Sequence, residues 1–283
     1  MLRNVKDYRR PTSIEEAVAL VQSNINAVYL GGGAWTVAQG HPQLEMVVDL
    51  QSVGLGQVAS DDESVRLGTM VTLQAMMDHP EAGKLADGLL ATAAGYTQSR
   101  GLREQGTLGG TLIVAGPADP LTTALLVLDA EVKYADTAPH TAPFLSFAAY
   151  RDRLVKTRVL LTEVRIKRPP ARSAAAFEVV GRSPKDKPIV CAAAYIGVAE
   201  GVPSEVRVAV GGADSRPVRL HKTEHLLRGQ LINEARIAYA LEPALLELHP
   251  IEDFRGSAEY RLEMTQVLVR RAVLTAWGRA RSV

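Results

Sequence analysis

Apolar positions along this chain fall into two regimes. Up to about residue 166, short apolar runs alternate with stretches of helical spacing. Ala27-Val28-Tyr29-Leu30, Met46-Val47-Val48-Asp49-Leu50 and Val65-Arg66-Leu67-Gly68 read as strands, as do 131–135 and 159–166. Helices are predicted over 13–23, 81–96 and 121–128. The first opens on Ser13 with Glu16 three residues later, the spacing of a capping box. Thr72 can cap another helix after the third strand. Asp119-Pro120 places an acidic cap before a proline at the first helical position. This alternation predicts a mixed α/β arrangement.

The polar, proline-rich segment Lys167-Arg168-Pro169-Pro170-Ala171-Arg172-Ser173 reads as a boundary, dividing the chain into 1–170 and 171–283. Beyond it, 177–180, 189–198 and 205–210 read as successive strands of an antiparallel sheet. Helices follow over 221–228, 232–246 and 257–279. In the last, Ala258, Leu262, Thr265, Val269, Ala272 and Ala276 recur at spacings of four and three, which is one helix face laid on a sheet. Strands followed by helices make the second domain α+β.

Two glycine clusters interrupt the first regime. One is Leu30-Gly31-Gly32-Gly33-Ala34-Trp35-Thr36, the other Gly106-Thr107-Leu108-Gly109-Gly110-Thr111. Glycine accepts positive φ and lets a ligand approach bare N–H groups. Successive N–H groups in such a turn form a concavity for anionic oxygens. A single cluster is as readily a plain turn, whereas two that meet can hold both phosphates of a dinucleotide. The first lacks the Gly-Lys-Ser/Thr ending of a P-loop and the Gly-x-Gly-x-x-Gly spacing, and no helix is predicted directly after it. Trp35 reads as a core anchor in preference to a lid over a ligand. In the second cluster Thr107 and Thr111 can donate to a phosphate oxygen, and Arg103 can add charge. Asp119 reads equally as a helix cap and as an acceptor for ribose hydroxyls or ring N–H groups.

Composition narrows the chemistry. Lys and Arg number 32 against 31 Asp and Glu, for a net charge of +1, which argues against a nucleic-acid partner. Arg270-Arg271 reads as the basic end of a helix. The single cysteine, Cys191, excludes an intrachain disulfide and a cluster held by several thiolates. Its setting, Ile189-Val190-Cys191-Ala192-Ala193-Ala194, predicts a small core residue. His221 and His225 lie four apart, but no Glu follows His221, and a solvated helix face is predicted. There is no Gly-x-Ser-x-Gly elbow. The polar N-terminus does not resemble a secretory signal, and no apolar stretch approaches the ~20 residues of a membrane span, so a cytoplasmic location is expected. If the chain is an enzyme, a bound cofactor must carry the chemistry.

The segment Gly106-Thr107-Leu108-Gly109-Gly110, followed by Pro117-Ala118-Asp119 and Leu128-Asp129-Ala130, resembles the FAD-binding (medium) subunit of molybdenum hydroxylases, the relatives of xanthine dehydrogenase and carbon monoxide dehydrogenase. Gly31-Gly32-Gly33-Ala34 is similar to that family's first FAD loop. Val208-Ala209-Val210-Gly211-Gly212 with Pro217-Val218-Arg219, and Asp253-Phe254-Arg255-Gly256-Ser257-Ala258-Glu259-Tyr260-Arg261, resemble its C-terminal domain. The resemblance implies a two-lobed FAD-binding domain of the vanillyl-alcohol-oxidase (PCMH) type, followed by an α+β domain with an antiparallel sheet and helices. It implies that Leu30, Gly31, Gly32, Gly33, Ala34, Trp35 and Thr36 form one pyrophosphate loop, and Gly106, Thr107, Gly109, Gly110 and Thr111 the other. By the same resemblance Asp119 is an acidic FAD contact and Leu160 a hydrophobic contact to the flavin. No side chain is assigned as a catalytic acid or base.

The implied partners are an iron–sulfur subunit carrying [2Fe–2S] clusters and a molybdopterin subunit. Electrons would run from molybdenum across the clusters to the flavin, then to NAD or another acceptor. The alternatives are a flavin-free structural subunit and a free-standing flavin oxidoreductase. Where the family often has Ser, Thr or Asp, this chain has Trp35. Where a Lys or Arg often follows Phe177, it has Glu178 and Val179. Negative charge near the ring would disfavour an anionic reduced flavin, with Lys185 or Lys187 as candidate compensating charges.

Overall fold

A computed structural model describes residues 4–96, 99–183 and 186–282; Lys185 lies outside the described residues. In chain order the elements are β1 (Asp7–Arg9), α1 (Ile14–Ser23), β2 (Ala27–Leu30), α2 (Ala34–Gln39), β3 (Met46–Asp49), a 3₁₀ turn (Leu50–Ser52), β4 (Val58–Ser60), β5 (Ser64–Gly68), α3 (Leu73–Asp78), α4 (Pro80–Gly95), α5 (Arg100–Gln105), α6 (Leu108–Ile113), α7 (Pro120–Val127), β6 (Glu131–Ala135), β7 (Pro139–Pro143), α8 (Phe144–Lys156), β8 (Leu160–Lys167), β9 (Ser173–Val180), β10 (Val190–Ala199), β11 (Val202–Gly211), β12 (Val218–Arg219), α9 (His221–Leu227), α10 (Glu234–Leu245) and α11 (Ala258–Arg281). They gather into two units. The first holds Met1–His79, Ser99–Val114 and Ala130–Ile166; the second holds Pro80–Gln98, Ala115–Asp129 and Lys167–Val283.

The first unit has two sheets, a three-stranded one in the order β1-β3-β2 and a five-stranded one in the order β4-β5-β8-β6-β7. In the small sheet both neighbours run parallel to β3, and Leu30 stands beside Asp49 at the carboxyl edge. α1 covers this sheet with Ala17, Val18 and Val21, which join Ala27, Val48 and Leu50 in one apolar cluster. Its start is capped as the sequence predicts: Ser13 Oγ accepts from the Glu16 N–H at 3.1 Å. The Glu16 carboxylate reaches back to the Thr12 N–H at 2.9 Å.

Asp49 is almost fully buried. Burial opposes its charge, but hydrogen bonds from the Tyr8 hydroxyl, the Gln51 N–H and the Arg10 guanidinium outweigh that and hold its carboxyl below the ordinary value. The network ties β1 to the end of β3, next to the first glycine cluster.

In the second unit β12-β11-β10-β9 form an antiparallel sheet. Every residue of β10 but the last is buried. One face of the strand, Val190, Ala192, Ala194 and Ile196, joins Leu268, Val269, Ala272 and Ala276 of α11 in a single core. Cys191 lies on the other face and meets Thr123 of α7, with Sγ 3.4 Å from its hydroxyl. The cysteine is wholly buried, and burial pushes its thiol up to about 12.

All eight residues of α7 are buried. Asp119 caps its start by accepting from the Thr122 N–H at 2.7 Å. At the other end Arg207 donates to Val127 O at 3.0 Å and Arg219 to Leu126 O at 3.3 Å, placing positive charge where the helix dipole favours it.

Three sequence expectations are revised. The helix predicted over 81–96 is broken: Ala86, Asp87 and Gly88 are left-handed, with φ of 49°, 58° and 74°. The Asp87 carboxylate accepts from the Ala175 N–H at 2.8 Å, so a tertiary bond to edge strand β9 holds the turn that Asp87-Gly88 makes. Arg270 and Arg271 lie inside α11, not at its end, where the basic residues are Arg279 and Arg281. The helix predicted from 232 starts at Glu234, because Asn233 caps it. No helix among the described residues is long and apolar enough to cross a membrane.

Candidate functional site

The two glycine clusters meet within the first unit. A β-carbon placed on Gly32 would stand 1.4 Å from the carbonyl oxygen of Gln105, and one on Gly31 would stand 2.8 Å from Thr107 Oγ1. Glycine is required there for close approach of one backbone to another.

Each cluster is also the start of a short helix. Gly33, at φ +77°, caps α2, which follows it directly, contrary to the expectation of no helix. Nothing in Ala-Trp-Thr-Val-Ala-Gln signals that helix, because none of its residues is buried. The first hydrogen bond of α2 runs from the Val37 N–H to Gly33 O at 2.9 Å. The N–H groups of Gly33, Ala34, Trp35 and Thr36 therefore have no partner inside the helix. Trp35 is 45% exposed, which overturns its reading as a core anchor.

The second cluster is organised differently. Thr107 caps α6, its Oγ1 accepting from the Gly110 N–H at 3.2 Å. The Leu108 N–H donates to Val71 O at 2.9 Å, the Gly109 N–H to Thr69 O at 2.8 Å, and the Thr111 N–H to Thr107 O at 2.9 Å. No glycine of this cluster has positive φ. These amides are committed to the protein, so the cluster is a packed helix start and not a row of free donors. Thr107 is buried and faces Gly31, and its hydroxyl, which has accepted one bond, keeps its own proton to donate.

Thr69 is a residue that sequence reasoning missed. Besides receiving Gly109, it donates through Oγ1 to Leu161 O at 2.5 Å and through N–H to Thr162 O at 3.2 Å. It thus fastens the second cluster to β8, the strand that begins with Leu160. Nothing in its spacing marks it out, since its partners lie on distant segments.

Leu160 is 3% exposed and packs in the cluster under α1. Arg103 is held in the first unit by Gln74, its Nε donating to Oε1 at 3.1 Å. Asp119 belongs to the second unit, where its visible role is the α7 cap. His221 is largely exposed, its Nδ1 lying 3.2 Å from the buried Glu224 carboxylate.

The motifs of the second domain do structural work. Gly211 lets β11 pass Thr123 and Cys191, which a β-carbon would approach to 2.8 and 2.9 Å. Gly212, at φ +86°, donates its N–H to Pro117 O at 2.7 Å. In the Asp253-to-Arg261 motif, the buried Arg261 donates to Ile189 O at 2.6 Å, to Gly256 O at 3.3 Å and to Asp253 at 2.6 Å, while Ser257 caps α11.

The arrangement around the first cluster fits a diphosphate: donor N–H groups at a glycine turn, with a hydroxyl from the abutting cluster beside them.

Comparison with known proteins agrees with this chemistry. Residues 3–169 match the family described as FAD binding domain in molybdopterin dehydrogenase, and 175–276 match the CO dehydrogenase flavoprotein C-terminal domain. The chain is 29% identical to the nicotine 6-hydroxylase medium subunit of Paenarthrobacter nicotinovorans, over 96% of this chain and 97% of that one. It is 27% identical to the carbon monoxide dehydrogenase medium chain of Afipia carboxidovorans, over 98% of each. Among solved structures, a carbon monoxide dehydrogenase from Hydrogenophaga pseudoflava superposes with a TM-score of 0.89 over 99% of each chain, at 24% identity, a likeness of fold.

Proposed function

Since this chain belongs to the FAD-binding medium subunits of the molybdenum hydroxylase family, we propose that it relays electrons between a partner iron–sulfur subunit and an external acceptor. It is an FAD-binding subunit of an oxidoreductase. When bound, the flavin supplies the redox chemistry. The protein's own residues do the holding.

The observation that carries this reading is the contact of Gly32 with the Gln105 carbonyl, which joins the two glycine clusters into one cradle. Gly33, Ala34, Trp35 and Thr36 present N–H groups to the diphosphate, and the Thr107 hydroxyl donates beside them. Leu30, Gly31 and Gly32 set the approach of the backbone, Gly106, Gly109, Gly110 and Thr111 fix the second cluster against it, and Asp119 and Leu160 are read as further contacts. In chain order the domains are read as 1–170 for FAD binding and 171–283 for the C-terminal domain. The partners are read as an iron–sulfur and a molybdopterin polypeptide, in the cytoplasm, with NAD as one candidate acceptor. The single cysteine supports clusters on another chain, since this one cannot supply their thiolates.

The test is purification from the native host. The expected result is a yellow protein that co-purifies with two further polypeptides, whose flavin bleaches when the complex receives substrate. A colourless protein that takes up no added FAD would favour the flavin-free structural reading. A yellow protein that turns over a small substrate alone would favour the free-standing oxidoreductase.

A further inference from the structure

Trp35 is a large aromatic side chain that the fold leaves half open to solvent. It is 45% exposed, and its indole makes no aromatic or cation–π contact among the described residues. The other tryptophan, Trp277, is 5% exposed, with the Arg281 guanidinium 5.2 Å from its ring centre. Burial by the rest of the chain therefore does not account for an indole at 35. Nor does helix stability, since α2 has no buried residue at all and its other large apolar side chain, Val37, is also exposed.

Position within α2 gives the indole a direction. Trp35 is the second residue of the helix, two beyond Gly33. A helical side chain leans toward the amino end of its helix and covers the turn before its own Cα. For Trp35 that turn is the glycine cluster.

We propose that Trp35 is a binding residue for the dinucleotide itself, its indole packing against one of the heterocyclic rings of FAD next to the diphosphate. The inference rests on the FAD reading above and adds a contact to it. An indole face suits an aromatic ring of the ligand because stacking needs no matched hydrogen-bond pattern, only a flat apolar surface freed from water.

The test uses the full-length protein stripped of flavin, titrated with FAD and separately with ADP, as wild type, Trp35→Ala and Trp35→Phe. Trp35→Ala is expected to weaken FAD about tenfold, with Trp35→Phe recovering most of the loss. Thermal midpoints of the three flavin-free proteins should nearly coincide, because α2 buries none of its residues. An equal loss of ADP affinity in Trp35→Ala assigns the adenine as the stacked ring, and unchanged ADP affinity with weakened FAD assigns the isoalloxazine. FAD affinity unchanged in Trp35→Ala overturns the inference while leaving the FAD reading intact. If that same variant instead loses a co-purifying polypeptide, the indole is a protein contact. A lowered midpoint for flavin-free Trp35→Ala would make it a structural residue. Wild-type protein that takes up no FAD overturns both readings together.

Discussion

Gly32 lies against the carbonyl oxygen of Gln105 so closely that a β-carbon would sit 1.4 Å away. Two backbones far apart in sequence are in contact, and neither can retreat alone. Leu108 N–H is bound to Val71 O behind the second cluster, and Leu30 is held in register with Asp49 behind the first.

Gly32→Ala should therefore push the clusters apart. Overpacking costs about 1–3 kcal/mol, and a clash with backbone belongs at the upper end. The expected outcome is a several-fold drop in flavin per polypeptide with a lowered urea midpoint. Gly101→Ala is the matched control: its β-carbon meets nothing within 4 Å, and it lies in helix α5, so it should stabilise by about 0.5–1 kcal/mol and leave flavin content unchanged.

Asp119 can be separated into its two roles. Its cap on the Thr122 N–H can be supplied by Asn as well as by Asp. Asp119→Ala should cost about 1 kcal/mol in denaturant unfolding, whereas Asp119→Asn should unfold like wild type. If the carboxylate also contacts the cofactor, Asp119→Asn will still weaken FAD in an equilibrium titration. Equal FAD affinity in wild type and Asp119→Asn would leave the residue as a cap alone.

Arg261 is buried and donates to three carbonyls and to Asp253. A lysine cannot span those acceptors, because its ammonium is a single point and the guanidinium is a planar fork. Arg261→Ala and Arg261→Lys should each lose about 3–5 kcal/mol of stability, read as a shifted urea midpoint. Survival of Arg261→Lys at wild-type stability would show that charge alone holds the turn.

The Cys191 thiol gives a pH signature. Burial raises its pKa from the ordinary 9.0 to about 12. Below pH 9 both folded and unfolded chains hold the proton, and the group has no effect on stability. Between 9 and about 12 the unfolded chain releases it and the folded one does not, so stability falls as pH rises, by up to about 1.4 kcal/mol per pH unit. Cys191→Ala should remove that slope from unfolding curves measured across the alkaline range. A wild-type slope identical to that of Cys191→Ala would refute the buried thiol.

Legibility in the sequence followed burial. The run through Cys191 read as a strand because helices cover both of its faces and leave no polar position to confuse the pattern. Caps at Ser13, Thr72 and Asp119 were visible because capping is a local act by one oxygen on a nearby N–H. α2 and α8 were not predicted: α2 buries nothing, and α8 buries only Phe144 and Phe147, so neither writes an apolar stripe. The break in α4 was passed over because the Ala- and Leu-rich run of 81–96 read as one helix, although Asp87-Gly88 is a turn dipeptide; a bond to distant Ala175 holds it. The glycine clusters stood out at once, but their reason differs from the one glycine suggests. Only Gly33 has positive φ; Gly31 and Gly32 are glycine because another segment occupies the space.

The chain weaves between its two units, so no single cut divides them. Segments 80–96 and 115–129 leave the ribosome well before the sheet of 173–219 against which α4 and α7 are packed. Until that sheet arrives, the sides of α4 and α7 that pack on β9, β10 and β11 have no cover. A polypeptide truncated near residue 170 would carry this sticky surface permanently. Synthesis through the second sheet is thus a condition of the fold.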